Sequence, residues 1–116
     1  MLLLAPDLLG ESLALKLTSA RDDWEVVLRP ERLTGGPALV IWSIDTVPSL
    51  AAIQQELFAL QERWQPSPVL LLLPGDLRLS REQLLELPAA GLLQNVDAQG
   101  LQNAIETLLQ GGRDIR

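Results

Sequence analysis

The sequence predicts one α/β domain in which helices cover a parallel sheet. Short apolar runs alternate with helical periods, several runs are apolar at every position, and the length of 116 residues suits a single domain. Continuous apolar runs are typical of strands that are buried on both faces, as in parallel sheets. Strands that alternate with helices are typical of a sheet whose crossover helices lie on both faces.

Five apolar runs predict the strands of this sheet. Each is short enough for a strand and is bounded by proline, glycine, polar or charged residues. The runs cover residues 2–5, 24–28, 39–44, 69–73 and 92–93. Parallel strands with short connections fit the flavodoxin-like strand order 2-1-3-4-5, so that is the order we expect.

Apolar residues at intervals of three and four positions predict the covering helices. The periods are Leu9, Leu13 and Leu17, then Leu50, Ile53, Leu57, Leu60 and Trp64, and finally Leu101, Ile105, Leu108 and Leu109. Pro48 is placed in the first turn of the second helix, which is expected to end before Pro66. Ser80 followed by Gln83 is a capping-box signal for a further short helix that ends near Pro88.

Composition and charge exclude several classes of function. The net charge of -6 has the wrong sign for binding phosphate backbones, so no direct nucleic-acid partner is expected. Cysteine, histidine and tyrosine are absent, which excludes thiol catalysis, histidine-based triads and the usual zinc sites. The apolar N-terminus lacks the basic start of a signal peptide, and no run approaches the roughly 20 residues that span a bilayer. A cytoplasmic protein without membrane insertion is therefore expected.

Residues 1–110 are predicted to form the domain, and residues 111–116 are predicted to be a C-terminal tail or linker. The chain has more apolar side chains than a domain of this size can easily bury, which favours a dimer or a companion domain. A protein partner or a second copy is therefore expected, without a cofactor. Of the tryptophans, Trp42 is predicted in the core, whereas Trp24 and Trp64 flank elements and are the better candidates for a contact surface.

The order of these elements resembles the receiver domains of bacterial response regulators, the CheY-like family. The segments that carry the resemblance are LLLAPDLLGESLALKL, GPALVIWSID, PVLLLLPGD and LLQNVDAQGLQNAIETLL. The resemblance implies a three-layer CheY-like fold and a place in two-component signalling. Residues 29–38 have room for at most one helical turn, so the second helix of receivers is expected to be shortened or absent. The lysine-poor, leucine-rich composition is compatible with a cyanobacterial source.

The resemblance also implies where a phosphorylation site would lie, and most of its residue types are replaced in this chain. Of the acid pair that holds magnesium in receivers, the first position is Pro6 and only Asp7 remains. Ser43 stands at the position of the phospho-accepting aspartate. Leu73 stands at the position of the hydroxyl residue, and Gln94 replaces the invariant lysine. We therefore expect these five positions to form a degenerate site without catalytic residues.

The missing lysine is the most specific of these changes. Lys16 is the only lysine of the chain and is predicted in the first helix, far from the phosphorylation edge of the sheet. Phosphoryl transfer needs positioned positive charge, so we expect no enzymatic activity. The sequence therefore predicts a pseudo-receiver, a phosphorylation-independent module for protein interaction or dimerisation in a signalling or regulatory protein. The resemblance implies an interaction surface near the last helix, made by Leu92, Val96, Gln102, Glu106 and Leu109.

Two alternatives stay open at the level of the sequence. In a true receiver with a shifted register, Asp45 would accept the phosphate. No metal is expected, but Asp7, Asp45 and Asp76 would then be the weak candidates for metal ligands. The other alternative is a sensor of a small ligand of the quinone type, because pseudo-receivers of cyanobacterial clock proteins resemble this pattern and are associated with quinone sensing.

Overall fold

The computed structural model describes residues 1–5, 7–20, 24–29, 31, 37–44, 49–65, 67–73, 80, 82–83, 89, 91–94, 98–110 and 114–115. The strands are β1 (Leu2–Leu4), β2 (Val40–Ser43), β3 (Val69–Leu73), β4 (Gly91–Gln94) and β5 (Asp114–Ile115). The long helices are α1 (Asp7–Ala20), α2 (Leu50–Trp64) and α3 (Ala98–Leu109). This alternation of strands and helices confirms the predicted α/β class.

The sheet has the order β1-β2-β3-β4-β5, and every neighbouring pair is parallel. Leu2 lies opposite Val40, and Val40 lies opposite Val69. Leu71 lies opposite Leu92. Because all the strands run in one direction, the ends of β2, β3 and β4 meet at the same edge of the sheet.

Two apolar clusters lie on the two faces of the sheet and make a three-layer structure. The α2 cluster contains Leu2, Val40, Ile44, Ile53, Leu57, Leu60, Val69, Leu71, Leu73, Ala89 and Leu92. The α1–α3 cluster contains Leu3, Leu17, Trp24, Leu39, Ile41, Leu70, Leu93, Leu101, Ala104, Ile105 and Leu108. Alternate residues of β1, β2, β3 and β4 enter different clusters, because successive side chains of a strand point to opposite faces. This confirms the prediction from the apolar runs that the strands are buried on both faces.

The second predicted strand, residues 24–28, forms a single bridge between Val27 and Leu2. The Leu3 N–H donates to the Val27 carbonyl at 2.9 Å, and the Val27 N–H donates to the Met1 carbonyl at 2.8 Å. The Leu2 N–H donates to the residue before β2, on the other side of β1. Val27 therefore lies at the outer edge of β1, the side that the predicted order gives to the second strand. The prediction of a full strand is wrong because pairing ends after this one bridge.

β5 lies within the segment predicted as a tail or linker. Asp114 pairs with Gly91, and Ile115 pairs with Leu92, so β5 covers the outer edge of β4. A strand of two residues has no periodicity that could predict it from the sequence. The boundary of the domain after residue 110 stays a prediction, although the segment that follows returns to the sheet.

The hydroxyl of Ser49 caps α2. It accepts a hydrogen bond from the Ala52 N–H at 3.1 Å, and the Ser49 backbone is extended. The helix begins at Leu50, so the predicted start at Pro48 is two residues early. Pro48 itself lies outside the described residues. The helix ends at Trp64, in agreement with the predicted end.

The predicted capping box is confirmed by reciprocal hydrogen bonds. The Ser80 N–H donates to Oε1 of Gln83 at 2.9 Å, and the Gln83 N–H donates to Oγ of Ser80 at 3.1 Å. Glu82 and Gln83 are helical. Within the described part of the chain, no helix combines the length and the apolar character needed to cross a membrane.

Candidate functional site at the carboxyl edge of the sheet

The candidate site lies where β2, β3 and β4 end, which is the edge at which parallel α/β sheets hold their ligands. Ser43 ends β2, Leu73 ends β3 and Gln94 ends β4. In the sheet register, Ser43 is opposite Leu72 and Leu73 is opposite Gln94. The structure therefore brings three of the predicted site positions to adjacent strand ends.

The side chains at these strand ends are uncharged and mostly buried. Ser43 is 7% exposed and Leu73 is 5% exposed. Leu73 packs in the α2 cluster, and Gln94 is half-buried. A hydroxyl, an aliphatic group and an amide supply no formal charge for binding magnesium or for stabilising a transferring phosphoryl group.

The remaining positions of the predicted site are described only in part. Asp7 begins α1, two residues after Ala5. Pro6, Asp45 and Asp76 lie outside the described residues. Within the described residues, no three acidic side chains lie close enough together to hold a metal ion.

Lys16 lies on the exposed surface of α1. It is nine residues after the start of that helix, which corresponds to about 13 Å along the helix axis. α1 begins beside the carboxyl edge of β1 and runs away from that edge, so Lys16 lies far from the candidate site. Lys16 therefore lies on the surface of α1, away from the ends of β2, β3 and β4.

The residues predicted for an interaction surface are divided between the core and the surface. Leu92 is 1% exposed and packs in the α2 cluster, so its place in a surface is wrong. Its strand is covered on both faces, which the sequence comparison with receivers did not reveal. Gln102 and Glu106 are half-buried on α3, and Leu109 is 37% exposed. Val96 lies outside the described residues.

α3 has one buried and one polar face, as its periodicity predicts. Leu101, Ile105 and Leu108 are buried in the α1–α3 cluster. On the exposed face, Nε2 of Gln99 donates to Oδ1 of Asn103 at 3.1 Å. The polar face and Leu109 are the parts of the predicted surface that remain accessible.

The burial of the tryptophans differs from what the sequence suggests. Trp24 is 8% exposed and packs in the α1–α3 cluster, so this candidate for a contact surface lies in the core. Trp42 packs against the α2 cluster but is only half-buried. Trp64 is half-buried, with the Arg63 guanidinium 4.9 Å from its ring centroid. Within the described residues, the buried Nε1 of Trp64 has no hydrogen-bond partner.

A cleft beside β1 is a second candidate site, which the sequence patterns did not predict. Its volume is about 220 Å³, and its described lining consists of Leu3, Ala5, Gly10, Glu11, Leu28 and Arg29. These residues belong to β1 and the residue after it, the first turns of α1, and the segment that holds the Val27 bridge. Its position depends on where that segment leaves β1, for which the sequence contains no signal.

Comparison with known proteins finds similarity in the fold. No protein-family model matches the chain, and no curated protein matches it. The crystal structure of the response regulator ChrA of a heme-sensing two-component system is similar, with a TM-score of 0.63 and 19% sequence identity. The match covers 97% of this chain and 57% of the ChrA chain. The likeness confirms the predicted receiver-like fold and shows the fold alone.

Proposed function

We propose that this chain is a receiver-like module of a signalling or regulatory protein, which acts by binding a protein partner and does not depend on phosphorylation. The observation that carries the proposal is the set of side chains at three adjacent strand ends. Ser43, Leu73 and Gln94 occupy the carboxyl edge of a sheet whose fold is similar to that of a response regulator. The fold is present, while these positions hold no charge.

The chemistry at this edge is unsuited to a phosphoryl group. Acyl phosphate formation needs a carboxylate, which Ser43 lacks, and access to the phosphodonor, which burial of Ser43 limits. The charge of the transferring group needs cations that are already in place. Gln94 offers an amide where a cation would be needed, and Leu73 offers no hydroxyl. The carboxylate, the hydroxyl and the cation that phosphorylation needs are all absent from these three positions. Their joint absence favours a function that does not use phosphorylation.

A contact through α3 agrees with the shape of the module. Its buried face is committed to the α1–α3 cluster, and its outer face presents polar side chains beside the exposed Leu109. The helix has 12 residues and is about 18 Å long, which suits the centre of an ordinary interface of about 800 Å² per partner. In ChrA the matched part belongs to a longer chain, which supports the interpretation as a module.

The first experiment tests independence from phosphorylation. We expect the amide chemical shifts of Ser43, Leu73 and Gln94 to stay unchanged when beryllofluoride and magnesium are added together. Magnesium alone and beryllofluoride alone are the controls. Saturable shifts that require both components would overturn the proposal and would favour a receiver that uses another acceptor, such as Asp45.

The second experiment tests the contact, which we assign to a second copy of the chain. The double variant Gln102→Arg, Glu106→Arg is expected to weaken self-association, because it places unpaired positive charge inside the contact. The matched control is Gln55→Arg, Glu56→Arg, which makes the same change of charge on the exposed face of α2. Sedimentation equilibrium measures the mass, and thermal unfolding checks the fold. A wild-type monomer, or equal dissociation in both variants, would overturn self-association through α3.

A further inference from the structure

We propose that the cleft beside β1 binds a small amphipathic molecule that carries one ammonium and one carboxylate group, such as a free aliphatic α-amino acid. The cleft lies outside the candidate site formed by the ends of β2, β3 and β4. The proposal therefore goes beyond the proposed function and does not rest on it.

The cleft exists because the pairing of β1 with the neighbouring segment stops after Val27. In a continued parallel ladder, the Arg29 N–H would donate to the Leu3 carbonyl, and the Ala5 N–H would donate to the Arg29 carbonyl. Neither bond forms between these described residues, and the backbone bends at Leu28 and Arg29. The opened ladder leaves a space of about 220 Å³ between the segment, β1 and α1.

Part of the cleft wall is aliphatic, while most of its exposed lining is polar. Leu3 is buried and Ala5 is half-buried, while Leu28 is 38% exposed, as few large apolar side chains are among the described residues. Gly10 adds no side chain to the wall. A Cβ at this position would lie 3.5 Å from Cδ2 of Leu28 and 3.6 Å from Cβ of Ala5. The cleft therefore offers a small aliphatic patch within a mostly polar lining, which suits a ligand with a short aliphatic group and charged groups.

Two side chains of opposite charge belong to the described part of the lining. Glu11 lies on α1 and Arg29 lies on the segment after Val27, and both side chains are exposed. These two described residues form no ion pair with each other. A simple anion would be attracted by Arg29 and repelled by Glu11. A simple cation would be attracted by Glu11 and repelled by Arg29. A ligand with a carboxylate for Arg29 and an ammonium for Glu11 is favoured by both.

The size of the cleft limits the ligand. Sites for drug-sized molecules have volumes of roughly 300–1,000 Å³, and this cleft is smaller. The volume favours a single amino acid with an aliphatic side chain over a peptide or a nucleotide. Because both charged side chains are in contact with solvent, we expect weak binding, with a Kd on the order of 1 mM.

The probe for the test is L-leucine, added to the whole chain while amide chemical shifts are recorded. We expect saturable shifts at Gly10, Leu28 and Arg29. Two analogues each lack one charge: 3-methylbutylamine has no carboxylate, and 4-methylpentanoate has no ammonium. Each is expected to bind about tenfold more weakly than leucine, because one charge-assisted contact is missing.

Variants separate the roles of the lining residues. Arg29→Gln is expected to weaken the binding of leucine about tenfold and to leave the binding of 3-methylbutylamine unchanged. Glu11→Gln is expected not to weaken the binding of 4-methylpentanoate. Gly10→Ala is expected to weaken the binding of leucine, because the added methyl enters the cleft. The fold should be kept, because that methyl would meet its neighbours at ordinary contact distances. Lys16→Gln, on the same helix but outside the lining, is the control and should change nothing.

Three results would overturn the proposal. The first is that leucine causes no saturable shift at any soluble concentration. Equal binding of leucine and 4-methylpentanoate would show that the ammonium is not recognised. Tighter binding of an uncharged quinone at the same residues, unaffected by Arg29→Gln, would assign the cleft to a neutral apolar ligand. None of these results bears on the phosphorylation and sedimentation experiments, so the two proposals can fail separately.

Discussion

Leu73 and Gln94 lie opposite each other at the ends of β3 and β4, so an aliphatic side chain and an amide meet at the carboxyl edge of the sheet. Ser43 lies at the end of β2, on the other side of β3. These are the strand ends at which an α/β sheet brings side chains together for chemistry. Introducing charged groups at this edge is therefore a direct test of whether the present side chains prevent phosphorylation.

Ser43→Asp alone is expected to give no aspartyl phosphate with acetyl phosphate and magnesium. The new carboxylate would be buried without a cation, so burial should raise its pKa and lower the free energy of unfolding by about 1–3 kcal/mol. Adding Pro6→Asp and Gln94→Lys supplies the second acid and the cation, and that triple variant is expected to gain a phosphoryl adduct. Intact-protein mass spectrometry measures the adduct. A phosphorylated single variant would contradict our account of the edge.

Leu57→Ala is expected to lower the free energy of unfolding by about 2–5 kcal/mol, because Leu57 is completely buried in the α2 cluster. Phe58→Ala is the matched control on the next position of the same helix. Phe58 is 58% exposed, so its truncation is expected to change stability by no more than about 0.5 kcal/mol. Urea unfolding measures both variants. Equal losses would mean that α2 packs on the sheet through a different face.

The central elements could be predicted because their patterns are long or continuous. β3 has the predicted bounds, since five consecutive apolar residues stand between Pro68 and Pro74. α2 follows from a regular period of apolar residues over four turns. The strand ends that hold the candidate site could be predicted for the same reason, because a residue that ends a buried strand has a known place in a parallel sheet.

The edges of the sheet could not be predicted in this way. Residues 24–28 have the composition of a strand, but whether an edge segment pairs over one residue or five depends on tertiary contacts. The same holds for β5, which is too short for a pattern. The burial of Leu92 was missed because the resemblance supplied a surface position without the packing of this chain. The cleft beside β1 follows from the early end of pairing at Val27 and was missed with it.

Ser49→Ala is expected to lower the free energy of unfolding by about 0.5–2 kcal/mol, because the Ala52 N–H loses its side-chain acceptor. Ser49→Asp keeps an acceptor at the N-cap and should stay close to the wild type. Ser12→Ala, at an exposed position inside α1, is the control and should not destabilise, since alanine has the higher helix propensity. Urea unfolding compares the three. A neutral Ser49→Ala variant would mean that another group caps α2.

The amino group of Met1 is part of the contact between β1 and the neighbouring segment. It donates to the Glu25 carbonyl at 2.6 Å, and Met1 packs against the α1–α3 cluster. Burial lowers the pKa of this amino group, and the negative charge of Glu25 offsets part of that change. The protonated form is therefore less favourable in the folded chain than in the unfolded chain.

The free energy of unfolding is expected to rise with pH between the lowered pKa of the Met1 amino group and its unfolded value of about 8. In this window the unfolded chain binds more protons. Above this window the amine is neutral in both states, so the folded chain does not carry the cost of burying a charged amine. Below the window the amine is charged in both states, so that cost is present in full. Glu25→Gln removes the charge that raises the pKa, so the rise should begin at lower pH. Glu62→Gln, on the exposed face of α2, is the control. Urea unfolding at a series of pH values measures the profiles, and identical profiles for the two variants would contradict this coupling.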